Sequence, residues 1–479
     1  MRFKSRAVSL SAMVVGAMMV AACGSSETAA PAPKNVIFFL GDGMGITTLT
    51  AARIYSVGED GELTIDTLPE TGFIKTHSND AQVTDSAPSM SAYMTGVKPN
   101  NDVIAMSADT RSFTLVNGVP SGYVSSGLST CPQGNGSRVP TLIELAKAAG
   151  LGTGVVTTAR LTHATPAATY SHICHRDGEY DIAAQAVPGG AGFNTALGDG
   201  VDVMLGGISY YWTPYGTTPN KGRIDNRNLI NEMKAAGYTF VSDRAGLTSA
   251  PLNTKLFGLF DQALAQGHMS YELDRNPAVE PSLAEMTAKA IDLLQYKTKG
   301  YMLVVEGGRI DHALHATNAA RAMADTVAFD QAIAAAIARV DLSKTLIVVT
   351  ADHDHTLVMN GYAQRTGKTV SGTNAGILGV LKNFTDGSVA KDAENEAYPI
   401  LGFGNGESRP SVRAGLSLTD TITSGKDYHQ EAVVPTSAGG ETHGGGDVFI
   451  GAIGRGAAAI AGVMDNTAVF GILKAALGL

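Results

Sequence analysis

Three short apolar runs that end on acidic or imidazole side chains constrain the fold more than any other feature of the sequence. They occupy residues 36–42, 301–306 and 346–353. Short β-rich runs without polar alternation are typical of strands that are buried in a parallel sheet. Open α/β sheets place their sites at the carboxyl ends of such strands. The sequence therefore predicts a polar site along one sheet edge, and the acidic ends of the runs indicate a metallohydrolase.

The segments between these runs predict the rest of the sheet. A chain of 479 residues, 44% hydrophobic and 16% charged, is long enough for one large α/β domain with insertions, or for two domains. Residues 35 to about 355 alternate strand-like and helix-like segments, with helices expected at 141–150, 284–294 and 319–340 and a strand at 152–158. This alternation predicts an α/β fold, a doubly wound and mostly parallel sheet with helices on both faces.

Two regions depart from the alternation. Residues 359–435 are rich in Gly, Thr, Ser and Asn and lack a strong helical period. We interpret them as an inserted β/loop subdomain, which leaves 35–358 and 436–479 as the catalytic α/β domain. Residues 200–226 contain Trp212 together with several Tyr and Gly residues, and we expect them to form a surface excursion.

The N-terminus has the pattern of a targeting segment. Basic residues are followed by an apolar stretch and by small residues that precede Cys23. This pattern resembles a bacterial lipoprotein signal, which predicts a signal peptide at 1–22, acylation of Cys23 and a flexible tether at 23–34. The alternative is ordinary signal cleavage with an incidental cysteine. Either way the mature chain is expected to be exported, and acylation would make it a periplasmic or cell-surface lipoprotein anchored to a membrane through Cys23.

Charge and cysteine content restrict the partners and the redox environment. The formal net charge is −9 and basic residues form no cluster, so nucleic acid is not expected as a partner. Apart from Cys23 the chain has two cysteines, Cys131 and Cys174. In an oxidising compartment we expect them to form a disulfide. A pair of buried free thiols is the alternative.

The acidic and imidazole residues near the strand ends are candidate metal ligands. Asp42 lies in the GDGMG sequence at 41–45, where glycines allow close approach of an ion, although a plain strand–helix turn has the same composition. Asp311 and His315 are spaced i, i+4 and would share one helix face. Glu306 lies five residues before Asp311, which suits a neighbouring ion. An isolated Asp-xxx-His pair more often consists of exposed residues without a functional role. The position of this pair after a buried strand is what favours a metal site.

Two later segments extend this set. Asp352, His353, Asp354 and His355 follow a buried strand, where titratable groups are costly unless metal ions or hydrogen bonds compensate them. His443 lies in a glycine-rich loop that lets the backbone pack closely around it. Imidazole with carboxylate suits zinc, and oxygen ligands alone suit magnesium.

Ser86, in the TDSAP sequence at 84–88, is the candidate nucleophile. A serine hydroxyl needs activation at neutral pH. No GxSxG elbow surrounds Ser86, which argues against a Ser-His-Asp triad of the α/β-hydrolase type. A metal ion is the alternative activator. Residues 91–96 are expected to continue a helix whose N-terminus would favour a bound anion.

Five motifs together resemble the alkaline phosphatases. GDGMG, TDSA, the cluster from Glu306 to His315, TADH at 350–353 and ETHGG at 441–445 occur in the order found in that family, and the likeness runs from about residue 35 to the C-terminus. The resemblance implies an alkaline phosphatase-like fold in which 359–435 form a crown-like insertion at a homodimer interface. It also implies hydrolysis of phosphate monoesters, with broad specificity, through a phosphoseryl intermediate on Ser86.

The resemblance further assigns ligands to three metal ions around Ser86. The first zinc would be bound by Asp311, His315 and His443. The second zinc would be bound by Asp42, Asp352 and His353. The third ion, which is magnesium or zinc, would be bound by Asp42, Thr165 and Glu306.

Four more positions carry implied roles. Arg176, in the CHRD sequence at 174–177, matches the arginine that clamps phosphate in the family, and His355 would support the ligands without binding an ion itself. His163 and His312 stand where the enterobacterial pattern has Asp and Lys, as in animal and some marine bacterial enzymes. This difference predicts weaker magnesium binding, or zinc, at the third site.

Rival functions differ in motifs that can be checked. Phosphodiesterases of the same superfamily usually use Thr as nucleophile, and its sulfatases carry a CxPxR-type site, whereas the sequence has neither. Turnover of bis-(p-nitrophenyl) phosphate against that of p-nitrophenyl phosphate would separate diesterase from monoesterase. A lipoprotein that binds phosphate or metal without catalysis is a rival of another class, and phosphate binding without turnover would favour it.

Overall fold

The computed structural model describes residues 35–263 and 267–479, and the predicted signal peptide, Cys23 and the tether lie outside these residues. The strands are β1 Asn35–Gly41, β2 Glu70–Lys75, β3 Phe113–Val116, β4 Val119–Gly122, β5 Val124–Ser125, β6 Leu128–Ser129, β7 Gly152–Arg160, β8 Val203–Gly207, β9 Tyr238–Val241, β10 Lys255–Phe260, β11 Tyr301–Gly307, β12 Thr345–Ala351, β13 Asp354–His355, β14 Leu357–Met359, β15 Leu401–Gly406, β16 Ala432–Pro435, β17 His443–Gly444, β18 Val448–Gly454 and β19 Gly462–Asp465.

Helices connect most of these strands. The α-helices are α1 Ile46–Val57, α2 Ser86–Thr95, α3 Leu142–Ala148, α4 Ala164–Tyr170, α5 Glu179–Gln185, α6 Leu229–Ala235, α7 Arg244–Ser249, α8 Leu283–Leu294, α9 Arg309–His315, α10 Ala319–Ile337, α11 Asp420–Thr423 and α12 Asn466–Leu477. Short 3₁₀ turns are Thr64–Thr67, Thr195–Leu197, Gly376–Leu378 and Ala457–Ala459. Among the residues that the structure describes, we find no helix with the length and apolar character that crossing a bilayer requires.

A ten-stranded sheet forms the centre, in the order β19-β2-β18-β12-β1-β11-β7-β8-β10-β9. Its strands pair in parallel except β18, which runs antiparallel to both β12 and β2. Helices α1, α8 and α10 pack together on one face, and α2, α3, α4 and α12 pack together on the other. The doubly wound, mostly parallel fold is therefore confirmed, and the two helical layers explain why its inner strands are apolar on both sides.

Local sequence signals account for the predicted elements. The helix expected at 141–150 is α3, which begins with a capping box: the Thr141 N–H donates to Glu144 Oε2 at 2.7 Å and the Glu144 N–H donates to Thr141 Oγ1 at 3.2 Å. Gly150, at φ +76°, follows the helix in the left-handed region that glycine tolerates. The helices expected at 284–294 and 319–340 are α8 and α10, and α10 ends three residues early at Ile337.

The prediction of a surface excursion at 200–226 is wrong in its first half. This stretch contains β8, a buried inner strand of the main sheet, and Trp212 is fully buried with its ring 4.8 Å from that of Phe257. A five-residue strand that ends in two glycines has too few apolar residues for a recognisable period. The second half does reach the surface, where Tyr215 and Ile224 are exposed.

Two regions lie outside the main sheet. In the region of the predicted insertion, β14, β15 and β16 form a separate three-stranded sheet. Between α2 and α3, residues 107–137 form an excursion with two small hairpins, β3–β4 and β5–β6, and a backbone bridge between Met106 and Arg138 closes its ends. A disulfide joins Cys131 of this excursion to Cys174, which confirms the predicted pairing.

Candidate active site

The middle of the sheet brings Asp42 and Asp352 together at its carboxyl edge. Strand β1 pairs with β11 and β12 in a register that sets Gly41 beside Gly307 and Ala351. The next residues, Asp42 and Asp352, are therefore level, and both are completely buried. Asp352 Oδ1 accepts hydrogen bonds from the backbone N–H groups of Gly43 and His353, each at 3.0 Å.

Gly43 is required by a close approach as well as by its backbone angle. Its φ is +66°, and a Cβ at this position would lie 2.4 Å from Nε2 of His355. Any other residue would therefore push the imidazole of His355 out of the cluster. This contact explains the second glycine in the sequence motif around Asp42.

Ser86 begins helix α2 and faces Asp42 and His353. Its Oγ lies 3.1 Å from His353 Nε2 and 3.4 Å from Asp42 Oδ1, and the side chain is buried. The first N–H groups of a helix and its dipole favour negative charge at this position. Ser86 is thus placed where an anionic group would meet both a hydroxyl and the carboxyl-edge cluster.

A second group converges on Asp311 Oδ1. The Nε2 atoms of His355, His315 and His443 lie 2.8, 3.2 and 3.6 Å from this oxygen. The Nε2 atoms of His315 and His443 are 3.1 Å apart. Nitrogens that share one oxygen at such distances form a donor set directed at a common cation. His355, expected only to support the ligands, contacts Asp311 most closely.

The opposite nitrogen of each imidazole is fixed by an acceptor. His443 Nδ1 donates to the carbonyl of Thr84 at 2.8 Å, and His353 Nδ1 donates to the carbonyl of Asp354 at 3.1 Å. His355 Nδ1 lies 2.5 Å from Glu441 Oε2. When Nδ1 carries the proton, Nε2 keeps its lone pair for a metal ion.

Glu441 is a residue of the site that we did not predict. Besides contacting His355, it accepts from the Thr356 N–H at 2.8 Å, and its backbone carbonyl accepts from His315 Nδ1. Its position two residues before His443, inside the ETHGG motif, was the available signal.

A third group surrounds the other side of Asp42. Ligand atoms of Asp42, His163 and Glu306 lie within 4.8 Å of one another. Thr165, fully buried, lies against Glu306, and Thr157 donates to Glu306 Oε2. Thr157 was not predicted, because a threonine inside an apolar strand carries no motif.

The three groups hold more negative charge than the chain compensates. Asp42 Oδ2, Asp352 Oδ2 and Glu306 Oε1 are buried and accept no hydrogen bond from any residue that the structure describes. Burial, together with the charge of Asp42, raises the pKa of Asp352 to about 8. Burial raises the pKa of Glu306 to about 7. Buried oxygens of this kind are costly unless cations meet them, so the residues present fit a metal centre.

Arg176 approaches the site from the side of Ser86. Its Nη1 pairs with Asp85, the residue before Ser86, and its Nη2 donates to His163 Nε2 at 3.0 Å. The guanidinium therefore lies between the nucleophile and the third group. A guanidinium in this place offers parallel donors to a tetrahedral anion.

His163 and His312 lie together, and His268 joins them. The ring centroids of His268 and His312 are 3.8 Å apart, and that of His163 is 5.2 Å from His312. Burial lowers the pKa of all three imidazoles well below the usual value, so they are neutral near pH 7. Arg160 contacts His268 Nε2 through Nη1 at 2.7 Å. No motif in the sequence identified His268 or Arg160.

The structure thus brings together all the residues predicted for the site. A buried serine, a guanidinium and three converging groups of carboxylates and imidazoles at the carboxyl edge of a doubly wound sheet define a metal-dependent hydrolase that acts on an anionic group. The sequence model described as "Alkaline phosphatase" matches residues 33–479, and the chain belongs to the alkaline phosphatase family. Members of this family are metal-dependent phosphoric monoester hydrolases, and the chain is therefore a metal-binding phosphomonoesterase.

Individual relatives agree with this assignment. The chain is 34% identical over 456 residues to the tissue-nonspecific isozyme of alkaline phosphatase from Homo sapiens, across 87% of this chain and 78% of that protein. It is 34% identical to the alkaline phosphatase of Gadus morhua, across 90% and 89%. Among solved structures, the alkaline phosphatase of Thermus thermophilus is 25% identical with a TM-score of 0.65, over 94% of this chain and 92% of that one. The enzyme of the Antarctic bacterium TAB5, at 22% identity, shares the fold with a TM-score of 0.60 over 93% and 98%.

Proposed function

We propose that the chain hydrolyses phosphate monoesters of broad specificity through a phosphoseryl intermediate on Ser86. The observation that carries this proposal is the position of Ser86 Oγ, 3.1 Å from His353 Nε2 and 3.4 Å from Asp42 Oδ1, beside a guanidinium. In this proposal the side chains named here contact the phosphate group, and none of them is assigned to the alcohol. Recognition of the phosphate alone is what gives broad specificity.

The ions that fit the donor sets are two zinc ions and a third ion, magnesium or zinc. Their proposed ligands are Asp311, His315 and His443, whose donor atoms converge; Asp42, Asp352 and His353; and Asp42 and Glu306 with the neighbouring Thr165. When bound, such ions neutralise the buried carboxylates, lower the pKa of a hydroxyl that they contact and stabilise charge on the transferred phosphoryl group. The imidazoles suit zinc, and the oxygens of the third set suit magnesium. His163 beside the third set favours zinc over magnesium there.

The residues of the chain divide the reaction into two displacements at phosphorus. In the first, Ser86 Oγ gives up its proton to solvent and forms the bond to phosphorus while the bond to the ester oxygen breaks, and the alcohol leaves with a proton from solvent. In the second, water attacks phosphorus, the bond between phosphorus and Ser86 Oγ breaks, inorganic phosphate leaves, and Ser86 Oγ takes up a proton to restore the hydroxyl. Arg176 uses one N–H on Asp85 and one on His163, and its remaining N–H groups are available to non-bridging phosphate oxygens.

The first experiment compares p-nitrophenyl phosphate hydrolysis against pH for the wild type, Ser86→Ala and a matched control, Ser91→Ala. Ser91 is buried on the same helix, but its hydroxyl contacts the Ala87 carbonyl and the Ala105 N–H rather than the site. We expect Ser86→Ala to lose about 10³-fold or more in kcat, and Ser91→Ala to stay within about threefold of the wild type. A Ser86→Ala variant that kept most of its rate would exclude the covalent route.

The same assay tests the ions. We expect treatment with EDTA to abolish the alkaline activity, zinc to restore it, and magnesium to add little to the effect of zinc, because His163 favours zinc at the third site. No turnover by a folded, zinc-replete wild type would contradict the proposal. Faster turnover of bis-(p-nitrophenyl) phosphate would assign the site to diesters instead.

Assembly and location are proposed on the family resemblance and the N-terminal sequence. We infer a homodimer with residues 359–435 as a crown-like insertion at its interface, and a lipid anchor on Cys23 that holds the enzyme in the periplasm or at the cell surface. Light scattering of the mature protein tests the dimer. Mass spectrometry of the N-terminal peptide tests acylation, and an unmodified Cys23 in the exported protein would exclude the anchor.

A further inference from the structure

The segment that carries Arg176 has no regular secondary structure of its own. Residues 173–178 lie between the end of α4 at Tyr170 and the start of α5 at Glu179. On one side, the segment is bonded to the stretch that follows α2: Ile173 exchanges two backbone hydrogen bonds with Ile104, at 2.9 and 3.1 Å, and the Arg176 N–H donates to the Asp102 carbonyl at 2.8 Å. A loop arginine held only by such contacts would have considerable positional freedom.

The 107–137 excursion supplies a second set of attachments, on both sides of Arg176 in sequence. Two residues before Arg176, Cys174 is joined to Cys131 by the disulfide. After Arg176, the Tyr180 N–H donates to the Gly127 carbonyl at 3.1 Å, and the Ser129 N–H donates to Asp181 Oδ2 at 2.6 Å.

Close packing accompanies these bonds. A Cβ on Gly122 would lie 2.7 Å from Nε2 of His175, the neighbour of Arg176, and a Cβ on Gly127 would lie 2.9 Å from the ring of Tyr180. The excursion and the Arg176 segment therefore meet along several residues and not at the disulfide alone.

The two ends of the excursion differ in how firmly they are fixed. The β3–β4 hairpin projects into solvent, with Phe113, Leu115, Val116 and Val119 exposed. Cys131, by contrast, is partly buried against the hydrophobic core, and its disulfide partner Cys174 is buried. The covalent link thus joins the fixed part of the excursion to the part of the chain that leads to Arg176.

We propose that the 107–137 excursion, through the Cys131–Cys174 disulfide, is a positioning element for Arg176 and thereby sets the affinity of the site for the phosphate group. The inference rests on the proposed function, because it takes Arg176 as the residue that binds non-bridging oxygens. Bidentate contacts from a guanidinium depend on direction, and a displacement of about 1 Å is enough to weaken them strongly. Asp85 and His163 orient the guanidinium, whereas the disulfide restrains the backbone from which it extends.

The test replaces both cysteines by alanine in the zinc-replete enzyme. Substitution is preferable to a thiol reductant, because thiols bind transition metals and would disturb the ions as well. We expect KM for p-nitrophenyl phosphate and the inhibition constant of inorganic phosphate to rise about three- to tenfold in Cys131→Ala/Cys174→Ala, while kcat does not fall. Leu115→Ala, on the exposed hairpin of the same excursion, is the matched control and should leave both constants unchanged.

The same pair of substitutions is also made in an Arg176→Ala background. If the disulfide acts through Arg176, the cysteine changes have no further effect on phosphate inhibition there. Should the double alanine variant not fold, Asp181→Ala removes another attachment of the excursion, and we expect a smaller increase in the same two constants.

The outcomes separate the two claims. If Arg176→Ala leaves phosphate inhibition unchanged, the proposed role of Arg176 itself is wrong. If Arg176→Ala weakens phosphate binding but the loss of the disulfide lowers only thermal stability, the disulfide is merely structural and the inference is overturned. An equal loss of phosphate affinity with and without Arg176 would overturn it as well.

Discussion

Buried acids lie at both edges of the central sheet, and they are compensated in different ways. At the amino edge, Asp202 precedes β8 and is met by the ammonium groups of Lys297 at 2.6 Å and Lys147 at 3.4 Å, and by the Thr153 N–H at 2.9 Å. At the carboxyl edge, Asp42 and Asp352 face each other, and each has a buried oxygen that accepts no hydrogen bond within the described residues.

The difference shows what the chain supplies and what it leaves to ligands. Two lysines neutralise Asp202 at the amino edge, so this acid needs no cation from outside the chain. Within the part of the chain that the structure describes, the carboxyl edge repeats the same residue type with no lysine bonded to it, and bound cations are the compensation that fits. A buried acid that no cation of the chain meets therefore indicates a site.

The largest effect expected from this contrast is that of Asp352→Asn. The amide keeps the acceptor for the Gly43 and His353 N–H groups but removes one negative charge from the metal centre. We expect kcat/KM for p-nitrophenyl phosphate to fall about 10³-fold or more, because a ligand is lost.

The same substitution is expected to stabilise the metal-free protein at alkaline pH. Burial and the charge of Asp42 raise the pKa of Asp352 to about 8, so the stability of the metal-free wild type is present at low pH and is lost as pH rises through that value. Thermal unfolding after EDTA, at pH 6 and pH 9, measures this. A lower melting temperature for the variant at pH 9 would show that Asp352 is compensated within the chain.

Asp202→Asn is expected to have the opposite profile. The variant keeps an acceptor for Thr153 but leaves two lysines with less compensation, and we expect a loss of about 2–3 kcal/mol in the free energy of unfolding. Activity per folded molecule and sensitivity to EDTA should match the wild type, because no predicted ligand is changed. Denaturant titration measures the free energy of unfolding, and kinetics of the zinc-replete enzyme measure the activity per folded molecule. A loss of activity without a loss of stability would show that the amino edge also serves the active site.

Asp325, on helix α10, is an intermediate case. Burial raises its pKa to about 7, against a lowering influence of Arg309, and its Oδ2 accepts from the Glu272 N–H at 3.2 Å. A raised pKa means that the stability contributed by the protonated form is present below about pH 4 and is lost as pH rises through 7. We expect Asp325→Asn to raise the free energy of unfolding at pH 8 by about 1–3 kcal/mol and to leave it unchanged at pH 4. An equal change in the free energy of unfolding at pH 8 and at pH 4 would show that the substitution acts through packing rather than through the charge of Asp325.

The carboxyl edge was largely predictable from sequence, for a physical reason. The extent of the three apolar runs indicates where β1, β11 and β12 end, and the parallel register brings those ends to one edge of the sheet, so Asp42, Glu306 and Asp352 come together. The family motifs then supplied Thr165 and Arg176, which no spacing rule connects to the strands.

Residues that act across long sequence separations were missed. Glu441 reaches His355 from 86 residues away, and His268 packs against His312 from a connecting segment. Contacts of this kind depend on how loops pack, and no local period records them. The amino-edge group was missed in the same way, since Lys147, Asp202 and Lys297 come from three separate parts of the chain.

The smallest expected effect concerns the two lysines beside Asp202 at the amino edge. It tests whether the distance of a lysine from Asp202 or the burial of that lysine determines how much it stabilises the fold. Lys297 lies closer to Asp202 than Lys147 does, but its side chain is 42% exposed against 9% for Lys147. Water screens an exposed ion pair, so such a pair contributes little net stability. Removal of a buried lysine, by contrast, leaves the buried acid without compensation.

We therefore expect Lys297→Met to cost no more than about 1 kcal/mol of unfolding free energy and Lys147→Met to cost about twice as much, despite the longer distance. Denaturant titration at low and high salt checks this, because the effect of Lys297→Met should fade with salt and that of Lys147→Met should persist. The reverse order would mean that proximity, rather than burial, determines which lysine balances Asp202. The acid at the amino edge would then be compensated mainly by an exposed lysine. The two edges would differ only in how much of the compensating charge the chain supplies.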